Sequence, residues 1–316
     1  MSIGWCYTSN TKSLCLLTTN YRPVSNLTLV SKVTERVVAS LLNEYLVAND
    51  LLPRYQSAYW KRHSTETAIL RAWSDILTAA GRCQVTLLGL LDLSAAFDCV
   101  DHDILLQRLQ IGLRMSDNVL GWIQSFLTNR MQQVSFNGQL SRSQSLLFGV
   151  PQGSVLVPLL YLLYTAELEQ LILHHGLRID QYADDSQVYI SAPVSNVQAA
   201  VHIYAVCVHD VNKWMRASRL RLNLTKTQVM WLGSDQQLKH VDISDISVLS
   251  TTVPVVEIAR DLGAIIDSRL TLCACRVVLS GWVLSTPATT PTRTIDDGGS
   301  CNNRSCGVCI LSVSLL

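Results

Sequence analysis

Apolar residues change their spacing several times along this chain, and each change marks an element. Val30, Val33, Val37, Leu41 and Tyr45 recur every three or four positions and predict an amphipathic helix ending near Asn49. Ser64 caps the next helix, Glu66 sits in its first turn, and Ile69, Trp73, Ile76 and Ala80 form its apolar face. Gln84 to Leu93, QVTLLGLLDL, is almost continuously apolar, the pattern of a strand buried on both faces. Asp101 and Asp103 open a helix through Gln110 that stops at Gly112. Another spans Ser116 to Thr128, with Val119, Leu120, Ile123, Phe126 and Leu127 inward. Asn137-Gly138, between VSF and QL, predicts a hairpin. Leu177 and Ile179 on one side, Val188 and Ile190 on the other, predict a second hairpin with a polar tip. A long helix over Ser195 to Ser218 turns Val197, Val201, Ala205, Val208, Val211 and Met215 inward, and Thr227 to Leu232 reads as a strand. Residues 1 to 20 show neither period nor motif.

The tip of the second hairpin carries Asp184 and Asp185. Adjacent aspartates in a turn are ordinarily just solvated. The sharper reading is that a cation relieves their repulsion, and hard oxygen ligands on a rigid turn suit Mg²⁺. A third carboxylate changes the balance, because Asp92 closes the buried strand, where a lone acid is costly unless paired or metal-bound. Asp92, Asp184 and Asp185 at the ends of neighbouring strands can hold two Mg²⁺ ions about 3.5–4 Å apart, an arrangement suited to in-line displacement at phosphorus.

At 316 residues the chain can bury a sizeable core in one or two domains. A net charge of +1 gives no general nucleic-acid signal, so a binding surface must be local. Lys213, Arg216, Arg219, Arg221 and Lys226 offer one, with no acid between Val211 and Ser234; a solvated helix face is the competing reading. The first five of ten cysteines are scattered through core-like segments, which fits free thiols in a reducing compartment better than a disulfide framework. Leu14 to Leu17 is too short for a signal peptide, and Val155 to Tyr164, with Pro158 inside it, is too short to span a bilayer. The expectation is a chain neither secreted nor membrane-bound.

In order, LLDLSAAFDCVDHDILLQRL, GVPQGSVLVPLLYLLYTAEL, YADD and LRLNLTKTQVMWLG resemble the palm motifs of a reverse transcriptase. YRPVSNLTLVSKVTERVVASLL and QSAYWKRHSTETAIL, ahead of them, resemble its fingers. The likeness is to the non-LTR (LINE-type) retrotransposon group and covers roughly Tyr21 to Leu270. It implies an α+β right-hand polymerase of fingers and palm, the antiparallel palm sheet backed by helices on one face. The implied division is an unassigned lead-in over 1–20, partial fingers over 21–83, and palm over 84–270 with a fingers insertion near 130–148. A non-homologous tail, expected to be disordered, follows over 271–316. The implied function is RNA-directed DNA polymerase acting on an RNA template, a DNA primer and dNTP, with two Mg²⁺ ions, Mn²⁺ being the alternative metal. Nucleus and cytoplasm are the compartments implied; protein partners are left unknown, and neither a thumb nor an endonuclease domain is expected within the chain.

Carried over residue by residue, the resemblance makes Asp92, Asp184 and Asp185 the catalytic metal ligands. Lys226 resembles the lysine that protonates departing pyrophosphate or orients the triphosphate, against the plain reading of an exposed turn lysine. Lys61 and Arg62, ahead of a helix N-terminus, are candidate phosphate contacts, against surface charges on a loop. Phe97, five positions after Asp92, matches the aromatic that excludes a 2′-hydroxyl. Gln152 and Gly153 resemble residues touching nucleotide and template, and Ile258 to Ile266 resembles the primer-grip hairpin. His102 reads as a polar first-turn residue rather than a ligand. Two positions depart from the family: Trp60 stands where arginine is common, and Val157 where glycine precedes Pro158, an isopropyl group expected to overpack the site by about 1 kcal/mol or more. Beyond Thr271 the pattern is lost, and Cys301, Cys306 and Cys309, with no histidine after His240, fit no zinc spacing. Two alternatives stand beside this reading. One is an RNA-dependent RNA polymerase, against which Phe97 and the GVPQGS loop argue; the other is a degenerate, catalytically inactive remnant, favoured by the departures and the missing thumb.

Overall fold

The computed structural model describes residues 2–7, 21–60, 62–136 and 139–271. Strands β1 (Ser2–Tyr7) and β2 (Tyr21–Asn26) lead to helices α1 (Leu29–Ala48) and α2 (Thr65–Gly81). Then come β3 (Gln84–Leu91), a 3-10 turn over Ala96–Cys99, α3 (His102–Ile111) and α4 (Asp117–Leu127). Three strands, β4 (Arg130–Phe136), β5 (Gln139–Leu140) and β6 (Gln144–Leu146), precede α5 (Val157–Thr165) and α6 (Glu167–His174). The carboxylate hairpin is β7 (Arg178–Tyr182) with β8 (Asp185–Pro193), followed by α7 (Val197–Ala217), β9 (Gln228–Leu232) and the short α8 (Asp235–Leu238). Two further hairpins, β10 (Asp245–Val248) with β11 (Thr251–Pro254) and β12 (Ile258–Asp261) with β13 (Ala264–Asp267), complete the described chain. No described helix is long and apolar enough to cross a membrane.

The central sheet runs β7-β8-β3-β9, all neighbours antiparallel. In β3 the alternation sorts two cores. Val85, Leu87 and Leu91 join Ile179, Val188, Val229 and Trp231 in one core with Val208, Val211 and Met215 of α7. Leu88, with Leu90 packed beside it, faces Trp73 and Ile76 of α2 and Ala259 and Ile266 of the last hairpin. Helices backing one face only were expected. The structure corrects this: α7 covers one face and α2 the other, which is what the near-continuous apolar run of β3 requires. Gly89 lies under α7, and a Cβ there would sit 1.7 Å from Tyr204 Oη. The missing side chain lets the helix approach the sheet.

Residues 2–7, which read as patternless, form a strand. β1 pairs antiparallel with β2 and parallel with β4, giving a second sheet in the order β2-β1-β4-β5 with β6 also on β4. One partner, β4, lies in a distant part of the chain, which no local period announces. Asn137-Gly138 falls outside the described residues; Phe136 and Gln139 on either side pair with each other.

Helix α1 ends where expected, with Asn49 as its C-cap, but it is rolled the other way. Val30, Val33, Val37, Leu41 and Tyr45 are between 39% and 75% exposed, while Glu35, Leu42 and Leu46 point inward. Leu42 and Leu46 enter the main core, and Glu35 is held by hydrogen bonds described below, so one anchored carboxylate and two leucines outweigh the valine stripe. The other helices follow their predicted faces more closely. Ser64 forms a capping box with Thr67, Asp101 caps α3, and Ile123, Phe126 and Leu127 of α4 are buried, though Val119 is exposed. Val157 opens α5 within the core. Residues 272–316, expected to be a disordered tail, lie outside the described residues, as do Cys301, Cys306 and Cys309.

Gly89→Ala forces Tyr204 away from the sheet. The expected loss is about 1–3 kcal/mol, read as a lower urea midpoint at unchanged slope; an unchanged midpoint would contradict this packing.

Candidate active site

Register brings the acids together. Leu91, the last residue of β3, pairs with Ser186, so Asp92 leaves the sheet beside Asp185, which itself pairs with Tyr182 to close the β7–β8 hairpin. Ala183, at φ 57°, and Asp184 make the two-residue turn. Asp92 and Asp185 line one cleft of about 180 Å³ with Ser186, Lys226, Arg260 and Asp261. Asp184, in the turn, is half-buried. Burial, and after it the charge of Asp184, raises the pKa of the Tyr59 and Tyr161 hydroxyls. Among the described residues no three His, Cys, Asp or Glu side chains gather tightly enough to ligate a single ion.

Asp92 is held by the segment ahead of β9. Asn223 donates its side-chain amide to Asp92 Oδ2 at 3.0 Å and its backbone N–H to the Asp92 carbonyl at 2.8 Å. The exposed Lys226 reaches the same carboxylate, Nζ to Oδ2 3.8 Å. Asn223 was not foreseen; its sequence signal is a lone amide between two leucines, five residues before the strand.

A second cluster joins the 3-10 turn to the Gly149–Ser154 loop. Gly149 N–H donates to the Val100 carbonyl at 2.7 Å and Val150 N–H to that of Phe97 at 2.9 Å. Gly149 has φ 79°, and a Cβ there would meet the Asp98 carbonyl oxygen at 2.7 Å, so this loop needs its glycine. Gln152 donates its amide to Asp98 Oδ1 at 2.9 Å, Gly153 is exposed at φ 97°, and buried His102 Nε2 lies 2.8 Å from the Gly149 carbonyl. His102, read as a polar first-turn residue, is buried and bridges the first turn of α3 to this loop. Phe97 packs on Tyr161 with ring centroids 4.5 Å apart.

Two buried side chains that pattern reading missed hold these pieces. Glu35 of α1 is 1% exposed; it accepts from Ser31 and Ser154 hydroxyls and from the Val155 and Leu156 N–H groups, fixing the start of α5 to α1. Gln56 reaches the carboxylate turn, where its amide bonds both backbone groups of Ala183. Neither leaves a local signal, since an acid or amide on an amphipathic segment ordinarily faces water.

Other candidates are not gathered here. Lys61 lies outside the described residues, and Arg62 is exposed at φ 68° on the turn before α2. Trp60 lines a different cavity, of about 830 Å³, with Arg54, Arg108, Leu163 and Glu169; its Nε1 has no hydrogen-bond partner among the described residues. Lys213, Arg216, Arg219 and Arg221 are all exposed around the end of α7, which suits a solvated face and a local phosphate surface alike. Cys83, Cys99 and Cys207 are free thiols.

One more acid borders the cleft. Asp261 at the end of β12 is buried and accepts from Gln187 Nε2 at 2.7 Å. Burial pushes its carboxyl up to about 7, the Gln187 bond opposes this, and the charge of Asp185 adds to it. Burial likewise raises Asp180 in β7 to about 6, against the Tyr189 hydrogen bond and the Arg71 charge.

With this geometry in place the comparisons with known proteins are direct. Residues 10–253 match the family model described as reverse transcriptase (RNA-dependent DNA polymerase). The chain belongs to that family. It is 31% identical over 255 residues to the probable RNA-directed DNA polymerase from transposon X-element of Drosophila melanogaster, covering 80% of this chain and 27% of that protein. The corresponding protein from transposon BS of the same fly is 28% identical over 291 residues, covering 87% and 31%. The chain therefore spans less than a third of the length of these curated relatives. In fold it is similar to the apo telomerase of Candida tropicalis truncated from its C-terminal domain, with TM-score 0.51 at 12% identity over 78% of this chain and 52% of that one.

Asp261 makes stability depend on pH. Its folded carboxyl keeps a proton up to about 7, whereas the ordinary value is 3.8. The folded state therefore binds more protons across that window, and stability falls as pH rises through it. Asp261→Asn still accepts from Gln187 and has no charge to bury. In a metal-free buffer its stability relative to wild type should rise by roughly 2–4 kcal/mol between pH 4 and 8, measured by urea unfolding; a constant difference would reject the assignment.

Proposed function

We propose that this chain carries the catalytic core of RNA-templated DNA synthesis in a non-LTR retrotransposon, with Asp92, Asp184 and Asp185 as its metal-binding carboxylates. The observation that carries the reading is Asp92 and Asp185 lining one cleft at the ends of adjacent strands, with Lys226 3.8 Å from Asp92. The donor set fits hard ions such as Mg²⁺ or Mn²⁺. It is all carboxylate oxygen, and its spread over a strand end and a turn lets each of two ions take one or two acids and keep positions for water and phosphate. When bound, such ions supply positive charge that activates the primer 3′-hydroxyl and stabilises the departing pyrophosphate.

The remaining roles belong to the chain itself. Asn223 fixes the Asp92 carboxylate in one orientation. Lys226 neutralises part of the cleft's charge and is placed to meet a phosphate or give a proton to the leaving group. Phe97, braced by Tyr161, is the steric gate against a 2′-hydroxyl, and the Gln152–Gly153 segment is the surface over which template and nucleotide lie. Lys61 and Arg62 are proposed phosphate contacts, and the basic residues after α7 a template-primer contact weakened by salt. The working division is fingers over 21–83 with the insertion near 130–148, and palm over 84–270, ending on the β12–β13 hairpin as primer grip. Strand β1 pairs with both β2 and β4, which favours counting residues 2–7 with the fingers.

Primer extension on poly(rA)/oligo(dT) with dTTP and Mg²⁺ tests this. Wild type should extend, and Asp184→Asn should fall at least a hundredfold with its melting temperature unchanged or raised. Retained activity in Asp184→Asn would remove the metal assignment, and a folded wild type that never extends would mark an inactive remnant. Phe97→Ala should extend with rNTP far more readily than wild type; unchanged discrimination would take the gate away from Phe97.

A further inference from the structure

We propose that Gln56 is the positioning residue of the carboxylate turn: its side-chain amide sets the left-handed backbone at Ala183 and, through it, the direction of Asp184. The inference rests on the metal-site reading above for its functional meaning, but its structural content stands apart. Gln56 is 3% exposed. Its Nε2 donates to the Ala183 carbonyl at 3.1 Å, and its Oε1 accepts from Ala183 N–H at 2.9 Å and from Ala58 N–H at 3.0 Å. Both backbone groups of one turn residue are thus taken by one side chain.

That residue needs the help. Tyr182 and Asp185 are the last pair of the hairpin ladder, so the N–H and carbonyl of Ala183 lie beyond it. Ala183 sits at φ 57°, where an alanine Cβ crowds the backbone and a glycine would be at ease. A short hairpin favours a positive φ at this position, and the Gln56 clamp stabilises it without glycine's looseness. The clamp is itself fixed in register. Gln181 N–H donates to the Tyr55 carbonyl and Ser57 N–H to the Gln181 carbonyl, both at 2.8 Å, so residues 55–57 lie along the free edge of β7. Gln56 is therefore aimed from one rigid edge at the next residue but one along the same strand, and a shift of either segment is transmitted to the turn.

The test compares wild type, Gln56→Leu and Asp184→Asn, each as the full chain, by electron paramagnetic titration of Mn²⁺ and by hydrogen exchange of the 181–186 backbone. Gln56→Leu keeps the volume and removes all three hydrogen bonds. It should bind Mn²⁺ at least tenfold more weakly and exchange the turn amides at least tenfold faster, while exchange in β3 and the far-ultraviolet circular dichroism stay as in wild type. Gln56→Asn, one methylene too short to span Ala183, should do the same and serves if the leucine variant fails to fold. Wild-type Mn²⁺ affinity and unchanged turn exchange in either folded variant overturn the proposal. If Asp184→Asn binds Mn²⁺ as wild type does, the metal-site reading fails by itself, and turn exchange alone then decides for the clamp or against it.

Discussion

Everything in this structure hangs on β3 being dry on both faces. Packed between α7 and α2, the strand has every second side chain committed to each core, and a one-residue slip would exchange the two sets. That commitment fixes the pairing with β8 and β9, and with it the height at which Asp92 leaves the sheet beside Asp185. Gly89 makes the arrangement close-packed, since α7 brings Tyr204 to where a side chain would otherwise be. The end of the sheet that carries the acids is thus defined by hydrophobic packing well away from it.

Where the sheet stops, hydrogen bonds take over. The turns and loops around the acids have little apolar surface of their own, and polar side chains, buried or half-buried, hold each of them. Asn223 holds Asp92, Gln56 the hairpin turn, His102 and Gln152 the glycine loop, and Glu35 the start of α5. Burial makes such contacts directional, because an unpaired polar group there costs more than a made bond contributes. The same economy explains why α1 turns a valine stripe to the outside: its inner face is chosen by Glu35 together with Leu42 and Leu46.

The electrostatics around the cleft are built from excess acid. Asp92, Asp185 and Asp261 share it with Lys226 and Arg260, and the buried Asp261 is raised to about 7, so part of the negative charge is stored as a protonated carboxyl. While Asp261 stays protonated the formal charges of Asp92 and Asp185 are matched by Lys226 and Arg260, and its ionisation near pH 7 leaves the cleft net negative.

What the sequence determined by itself was everything set by a repeat of two or of 3.6 residues, together with the order of motifs. The doubly buried strand, the carboxylate hairpin, the capped α2, the long α7 and the family were all legible, because each is encoded within a short window or in linear order. Asp92, Asp184, Asp185 and Phe97 were legible as candidates for the same reason. Tertiary structure alone decided which face of α1 turns inward, that residues 2–7 form a strand, that α2 covers the second face of the sheet, and that Glu35, Gln56 and Asn223 hold the site. For the side chains that hold the site the deciding partner lies far along the chain: Gln56 bonds Ala183 and Glu35 bonds Val155. A local period reports how much apolar surface a segment has to bury; only the packed chain supplies the partner that decides which surface, and which polar group, is buried.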